Sequence, residues 1–442
     1  MRSKEIFFLI LFVAAGVFFY HAYTDKLDWE IEWGEDFLFK LEEFEFEESH
    51  TIDAPFPHVI HVVNRHGEIH IQGTEEDRIV VTLQKTIRRR TAEEAQDVAN
   101  TLKIVTEQTD HNIVLTTNRG EFKKKRFRTS FTISLPKGAD VTVSNTYGVV
   151  KVANTGDTNI HNSYGEVIVS DIEGILTVKN KYDDVDVQNV SADCTIDSNN
   201  ASVDVTKVDG TVQVFHRYGD VNLKDITRDA IVDASNTTIF CQNVEGLADV
   251  GSTYRSISLT NVGAAKVRAK NCEIDLDGVK GYCVIGSSYG RVKLANIQGD
   301  LKIDGKNTSV YGKTILGDKI TIDTTYRDVE LEDFSGETTI LHSNGKVLLT
   351  PKSLTLPLVV KGKYSDINLY WPKGGNYPIE AENKGGNIEW KLPYELSFKK
   401  ENSVSVIKAF MEDTESPLIF LYTTYGTIWI EESTSTADIE SH

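Results

Sequence analysis

The sequence predicts an all-β protein. Its main body reads as a β-solenoid of two-strand units about 18 residues long, behind a small α+β cap and an N-terminal transmembrane helix. Three observations carry this prediction. First, the octapeptide "SSYGRVKL" (Ser287 to Leu294) recurs as "NTYGVVKV" from Asn145, "NSYGEVIV" from Asn162 and "HRYGDVNL" from His216. Looser copies are "NKYDDVDV", "STYRSISL", "TTYRDVEL", "GKYSDINL" and "TTYGTIWI". Second, the copies fall at a nearly constant step. Third, apolar residues inside each copy alternate with period two, as in a strand with one buried face.

The N-terminus comes first. "MRSK" is basic, and Ile6 to Tyr20 ("IFFLILFVAAGVFFY") is unbroken apolar, extending to Tyr23 if His21 sits at an interface. A membrane span needs roughly 20 apolar residues, and a cleavable signal a shorter run with a small-x-small site. The best such site, Val13-Ala14-Ala15, lies inside the run. Residues 1–24 therefore read as a retained signal anchor, ahead of a cleaved signal peptide or a buried helix. The basic side stays in the cytoplasm, and the rest of the chain is exported.

Residues 25–50 form an acidic juxtamembrane segment. Asp25 to Glu48 holds eleven acidic residues against Lys26 and Lys40, in a chain of 442 residues whose net charge is -19. That acidity argues against nucleic acid as a partner, because phosphate binding needs clustered Lys and Arg. A composition of 40% hydrophobic and 26% charged residues permits a large core, and only 9 Pro and 31 Gly exclude collagen-like or linker-rich readings.

Residues 51–140 read as the α+β cap. "HVIHVVNRHGEIHIQG" suggests two strands joined at Arg65-His66-Gly67, and "RIVVTLQKTI" a further strand. "TAEEAQDVANTLK" is helical, with Thr91 as N-cap and Glu94 closing a capping box. "NIVLTT" and "SFTISLPKGADVTV" return to strand. A cap is expected because an open solenoid edge invites aggregation.

The array occupies residues 141–430. With Tyr as position zero, apolar residues follow at +3, +5, +8, +12 and +14, and Gly often stands at +10. From Tyr289 these are Val292, Leu294, Ile297, Leu301 and Ile303, with Gly299. Weaker units carry Asn at position zero. The row reads Tyr147, Tyr164, Tyr182, Asn200, Tyr218, Asn236, Tyr254, Asn271, Tyr289, Asn307, Tyr326, Asn344, Tyr364, with steps of 17 to 20. A unit this small cannot fold alone, so it stacks on its neighbours into one continuous core. A sandwich needs no such phase, and a propeller blade needs about forty residues. The Tyr–Asn alternation leaves open one or two units per turn; same-residue stacking favours two. From Lys373 the turns become irregular, the phase returns at Tyr425, and residues 431–442 are a polar tail.

The Tyr-Gly-x-Val-x-Val units, the Gly-bounded strands and "LPKGADVTV" resemble bacterial adhesin-like families of unknown function over roughly residues 50 to 430. The resemblance implies a β-helix or β-solenoid on an exported protein, and adhesion as its role. It supplies no catalytic residues.

Four features could carry chemistry. His58, His61, His66 and His70 crowd one stretch, and a two-residue loop at Arg65-His66 would set His61 opposite His70, with Glu68 the nearby carboxylate. An ordinary solvated face is the plainer reading than a metal site. Asp184, Asp220, Asp328 and Asp366 all follow a Tyr by two residues, which suits turn aspartates better than a calcium column, since the Gly-Gly-x-Gly-x-Asp pattern is absent. Lys85, Arg88, Arg89, Arg90, Lys123, Lys124, Lys125, Arg126 and Arg128 are the basic clusters; they suit a solvated face, or else an anionic polymer or lipid head group. Cys194 and Cys283 occupy the inward +12 slot and Cys241 a +5 slot; with Cys272 they lack zinc spacing and read as core thiols.

The expectation is a non-enzymatic, membrane-anchored extracytoplasmic module of the cell envelope, single-pass, with its bulk periplasmic or at the cell surface. The Tyr and Asn row is structural, and no catalytic, metal or cofactor residues are assigned. Partners are the membrane and an envelope polymer, glycan or protein. One alternative is a carbohydrate-active β-helix enzyme, which a groove holding carboxylates from non-equivalent slots would favour. Another is an envelope signalling accessory, although only five residues precede the apolar run.

Overall fold

The computed structural model describes residues 41–375, 377–392, 397–401, 403–409 and 419–433. The apolar run Ile6 to Tyr20 and residues 434–442 lie outside them. Among the described residues, no helix is long and apolar enough to cross a membrane.

The chain winds into a β-solenoid. Leu176, Cys194, Val212 and Ala230 lie side by side on consecutive parallel strands, each 18 residues after the last. One repeat unit therefore makes one turn. The two-unit turn favoured by same-residue stacking is excluded by this register, and Tyr and Asn alternate up a single edge. Each turn has two sides, one carrying the +12 and +14 residues and the next the +3 and +5 residues. Val292, Leu294, Ile297, Leu301 and Ile303 are all buried, as their phase requires. Burying such a side chain stabilises by about 1.5–3 kcal/mol. The main core is one continuous cluster from Ile60 to Ile430, and a small second cluster gathers Ile87, Ala95, Ala99, Leu102 and Phe127.

Two left-handed corners per turn hold this register. From Asn200 onward, position zero takes φ between 52° and 63°, for Tyr as for Asn. A second column at +7 does the same: Asn154, Asp171, Asn189, Lys207, Asp225, Asn243, Asn261, Asn296, Thr314 and Asp333 have φ of 53° to 60°. Asn and Asp are the non-glycine residues that enter this region most readily, which explains their hold on the second column. Its side chains also bond from turn to turn. Asn189 Nδ2 donates to Asp171 Oδ1 at 2.9 Å, Asn243 Nδ2 to Asp225 Oδ1 at 2.7 Å, and Asn296 Nδ2 to Asp277 Oδ1 at 2.7 Å.

The stack begins ahead of Tyr147. Val59–Val63 pairs in parallel with Asp140–Ser144, and Ile69–Thr74 with Val150–Thr155. These two strands are consecutive sides of one turn, not a hairpin, so His61 and His70 are not cross-strand partners. Parallel pairing between distant segments leaves no local mark on the sequence, and the Gly that suggested a tight loop is a solenoid corner. Beyond this turn, Asn112–Thr117 and Phe127–Pro136 add in parallel, and Ile104–Gln108 and Arg78–Arg89 close the two sides in antiparallel fashion. The helix α1 (Ala92–Thr101) packs alongside; Thr91 Oγ1 accepts from the Glu94 N–H, while Glu94 accepts from Arg90 N rather than from Thr91.

The acidic segment ends in Glu42–Asp53, an antiparallel strand along Arg78–Arg89. Lys85, buried, donates to Glu48 Oε2 at 2.6 Å and to the Ala99 carbonyl at 2.9 Å, and Arg88 Nε donates to Glu43 at 2.7 Å. Part of the first basic cluster is thus matched within the chain. The far end is closed similarly. Ile419–Thr424 inserts between the Tyr364 turn and Ile379–Lys384, and Thr427–Glu432 between that turn and Asn387–Trp390; the outer edge of Ile379–Lys384 takes the antiparallel Val404–Ala409. Antiparallel strands therefore cover both sides of the first turn and one side of the last.

All four cysteines are free and buried. Burial pushes the Cys194, Cys241 and Cys283 thiols up to about 12. Cys272, at +1, sits where Thr237 and Thr308 stand in sister turns, and its Sγ donates to the Lys270 carbonyl at 3.3 Å, as Thr308 Oγ1 does to Lys306 at 3.1 Å.

The close stacking of turns makes a test. A Cβ on Gly299 would lie 2.2 Å from the Gly281 carbonyl oxygen, whereas one on Gly286 would meet nothing nearer than 3.9 Å. Gly299→Ala is expected to destabilise by about 1–3 kcal/mol and Gly286→Ala to be neutral or stabilising by up to about 1 kcal/mol. Equal denaturant midpoints for the two variants would contradict the stacking.

Candidate functional site: the tyrosine corner

The corner at position zero displays the repeated tyrosines of the array. Its two ends differ from its middle. At the N-terminal end the rings form an unbroken stack: His66 on Tyr147 at 4.6 Å, Tyr147 on Tyr164 at 4.8 Å and Tyr164 on Tyr182 at 4.8 Å, with interplanar angles of 3°, 10° and 11°. Here positive φ falls on Gly67, Gly148 and Gly165, so the aromatic residue avoids the left-handed region. At the C-terminal end Tyr425 returns to phase and stacks on Tyr364 at 5.2 Å.

In the middle, Tyr218, Tyr254, Tyr289 and Tyr326 sit two turns apart with an Asn between each pair. Their rings make no aromatic contact among the described residues and are 52% to 60% exposed. Each also holds a positive φ. A bulky residue there is strained by about 1–2 kcal/mol, a cost that Asn or Gly would lower.

Beneath the corner, position −2 forms an inward polar column that the sequence reading passed over, although "N-x-Y-G" displays it. Asn145 Nδ2 donates to the Gly67 and Gly148 carbonyls, both at 3.2 Å, and Asn162 Nδ2 to Gly148 at 3.2 Å and Gly165 at 2.7 Å. Asn180 continues the ladder to Gly165 at 3.1 Å and Asp183 at 2.8 Å. Later turns place Ser198, His216, Ser252, Ser287, Thr324 and His342 in the same buried slot. His342 Nε2 donates to the Arg327 carbonyl at 2.5 Å, and Nδ1 meets the Ser365 hydroxyl at 2.9 Å.

The other candidates disperse. Asp184, Asp328 and Asp366 accept the backbone N–H of Ser202, Lys346 and Thr427 on the next turn at 2.7, 2.9 and 2.8 Å, as turn aspartates should. Asp220 pairs with Arg255 at 3.3 Å. His61 Nε2 lies 3.4 Å from Ser144 Oγ, His70 3.3 Å from Glu68, and His58 3.6 Å from Asp140. Burial, with Arg119, Arg65 and Lys125 nearby, pulls His66 down to about 4. Among the described residues, no group of three or more His, Cys, Asp or Glu side chains could hold a metal ion.

One groove of about 520 Å³ runs along the +7 column. Lys207, Asp225 and Asn243 line it, with Asp209, Glu245 and Lys280. Its carboxylates come from two slots, +7 and +9, but Asp225 already accepts from Asn243.

Residues 59–238 match the family model described as Toastrack DUF4097. No curated protein matches. Among solved structures, the chain is similar to a "putative cell adhesion protein" from Clostridium sporogenes at 10% identity, covering 88% of this chain and 100% of that one; the TM-score of 0.16 carries no argument.

Two predictions follow from the corner. Tyr254→Asn relieves left-handed strain at an exposed ring and is expected to raise stability by about 1 kcal/mol, whereas Tyr164→Asn removes two stacked contacts of about 0.5–1.5 kcal/mol each and lowers it. Denaturant unfolding that moved both in the same direction would refute the distinction. The second concerns pH. Burial lowers the His342 and His216 pKa values, so the unfolded chain takes up protons near pH 6.5 while the fold resists them. Their contribution is complete above about pH 6.5 and is lost as pH falls toward the lowered folded values. His342→Thr, which copies Thr324, is expected to flatten part of the drop in unfolding midpoint between pH 7.5 and 5; an unchanged drop would remove His342 from the account.

Proposed function

We propose that this chain is a non-enzymatic binding module of the bacterial cell envelope, held in the membrane by Ile6 to Tyr23, with its solenoid outside the cytoplasm. The observation that carries the reading is how the polar groups are used. Aspartates and asparagines are committed turn by turn to backbone and side-chain partners of the same solenoid. What the repeat leaves outward is an extended row of exposed rings, suited to holding a long ligand rather than to turning over a small one. The match of residues 59–238 to a domain family of unknown function and the export-type N-terminus are consistent with it.

The test uses the full chain in neutral detergent. It should be retained by isolated cell-envelope fractions, and protease added to spheroplasts, which opens any periplasm while leaving the cytoplasm sealed, should cleave the solenoid. Protection of the solenoid in spheroplasts, or no retention by any envelope fraction, would overturn the proposal.

A carbohydrate-active enzyme is the second reading, and the groove lined by Asp209, Asp225 and Glu245 is the observation in its favour. Incubation with a glycan panel, followed by assay for new reducing ends and unsaturated uronates, decides it. The binding reading predicts none; turnover abolished by Asp209→Asn or Glu245→Gln would make the groove an active site.

A further inference from the structure

From Tyr254 to Asn344, six consecutive turns each place one cation at the corner, within two residues of position zero: Arg255, Lys270, Arg291, Lys306, Arg327 and Lys346. The same stretch of corner, from one residue before position zero to two after, carries only Glu273 and Asp328 as acids. In a chain of net charge -19 this is a local inversion of sign. Arg255 and Arg291 reach Asp220 at 3.3 Å and Glu273 at 4.0 Å. Lys270, Lys306, Arg327 and Lys346 have no ion-pair partner among the described residues. Shallow pockets flank the corner on both sides. One is lined by Tyr289, Arg291, Asn307 and Arg327 with Glu273, the other by Arg268, Lys270 and Lys306 with Asp233 and Asp304.

The exposed rings of Tyr254, Tyr289 and Tyr326 punctuate this cationic row at every second turn. Adjacent turns are about 4.8 Å apart at the stacked tyrosines, so these rings recur about every 9.6 Å, twice that rise. Strain points the same way. Each of these tyrosines keeps a left-handed backbone that Asn would hold at lower cost, in a place where no ring stacks on it.

We propose that this corner is the binding face for a linear acidic glycan, an extended chain of equatorially linked pyranoses bearing carboxylates. Such a chain advances per sugar by nearly the rise of one turn, and its successive carboxylates point to opposite edges, so they meet cations that stand alternately after position zero (Arg255, Arg291, Arg327) and before it (Lys270, Lys306). The apolar C–H face of alternate sugars then meets the tyrosine rings, which offer broad apolar contact at low entropic cost. A second copy of this chain fits the face poorly, because two cationic rows would oppose each other. The inference rests on the binding-module reading and names the ligand of that module.

Binding to the full chain in neutral detergent is measured by calorimetry. The probes are a β-1,4-linked glucuronan oligomer, the neutral cello-oligosaccharide of the same length, and poly(glycerol phosphate). The glucuronan is expected to bind, with affinity falling as salt rises. The combined Lys306→Gln, Arg327→Gln, Lys346→Gln variant should lose about tenfold or more in affinity. Tyr289→Asn should weaken binding by several-fold while unfolding no more easily, which separates recognition from folding. Lys123→Gln with Lys125→Gln, near His66 at the opposite end of the row from Tyr254 to Asn344, should leave binding unchanged. Equal binding of the neutral oligomer, or insensitivity to the three substitutions, overturns the proposal. Preference for poly(glycerol phosphate) overturns it in favour of a phosphate polymer, and a tyrosine effect seen only in light-scattering mass overturns it in favour of self-association. If no probe binds while envelope fractions still retain the protein, the glycan assignment fails and the binding module stands; if envelope fractions also fail, both fall.

Discussion

The structure depends on one constraint: every turn must bring its two sides back into register above those of the turn before, and from Asn200 onward left-handed corners mark where each side begins and ends. A parallel ladder tolerates no slip, because a shift of one residue would turn the whole apolar set outward. The corners are what prevent slip. Each fixes a residue in a region that most side chains avoid, so each can stand at only one place in the unit. The 18-residue pairings of Leu176, Cys194 and Val212 are the outcome.

The same constraint governs the polar chemistry. A side chain repeated every turn meets its own copy, or its neighbour's backbone, at one rise. Asp193, Asp229 and Asp300 each accept the N–H that opens a strand of the following turn, near 2.8 to 3.0 Å. Asn189 and Asp171 bond along the second corner in the same way. Carboxylates used like this staple turns together and are drawn away from the convergent geometry that acid–base chemistry requires. A repeat favours long, shallow recognition for the same reason: whatever it displays, it displays as a row.

Much of this was legible in the residues. The inward slots, the phase of Cys194 and Cys283, and the return to phase at Tyr425 follow from counting, because burial alternates with fixed period along a strand. The number of units per turn did not follow. Stacking preference argued from Tyr–Tyr contact, but the left-handed backbone at position zero accepts Asn more readily than Tyr, and that preference is invisible until φ is known. His61 and His70 were misplaced for a related reason. Two short strands around a Gly look alike whether they fold back as a hairpin or turn a solenoid corner, and only the distant partners Asp140–Ser144 and Val150–Thr155 tell them apart. The −2 column was present in "NTYG" and "NSYG", but a polar residue beside a turn reads as exposed, and here it points inward to the corner carbonyls.

The tyrosine row shows one residue type serving under two conditions. At the N-terminal end, rings follow one another directly from Tyr147 to Tyr182; Gly148 and Gly165 take the awkward backbone beside Tyr147 and Tyr164, and each ring gains a stacked neighbour. Stability alone accounts for those rings. Where Asn stands on both sides, as at Tyr254, Tyr289 and Tyr326, the tyrosine itself takes the left-handed backbone, stands more than half exposed and stacks on no ring among the described residues. Asn at every one of those corners would relieve strain and extend the preference already seen at Asn271 and Asn307. Folding therefore offers no reason to keep a ring at Tyr254, Tyr289 and Tyr326. The free cations of neighbouring turns, Lys306 and Lys346 among them, are equally idle in the fold. Two sets of residues that the fold does not need, sharing one edge and one period, are better explained by something outside the chain that has that period too.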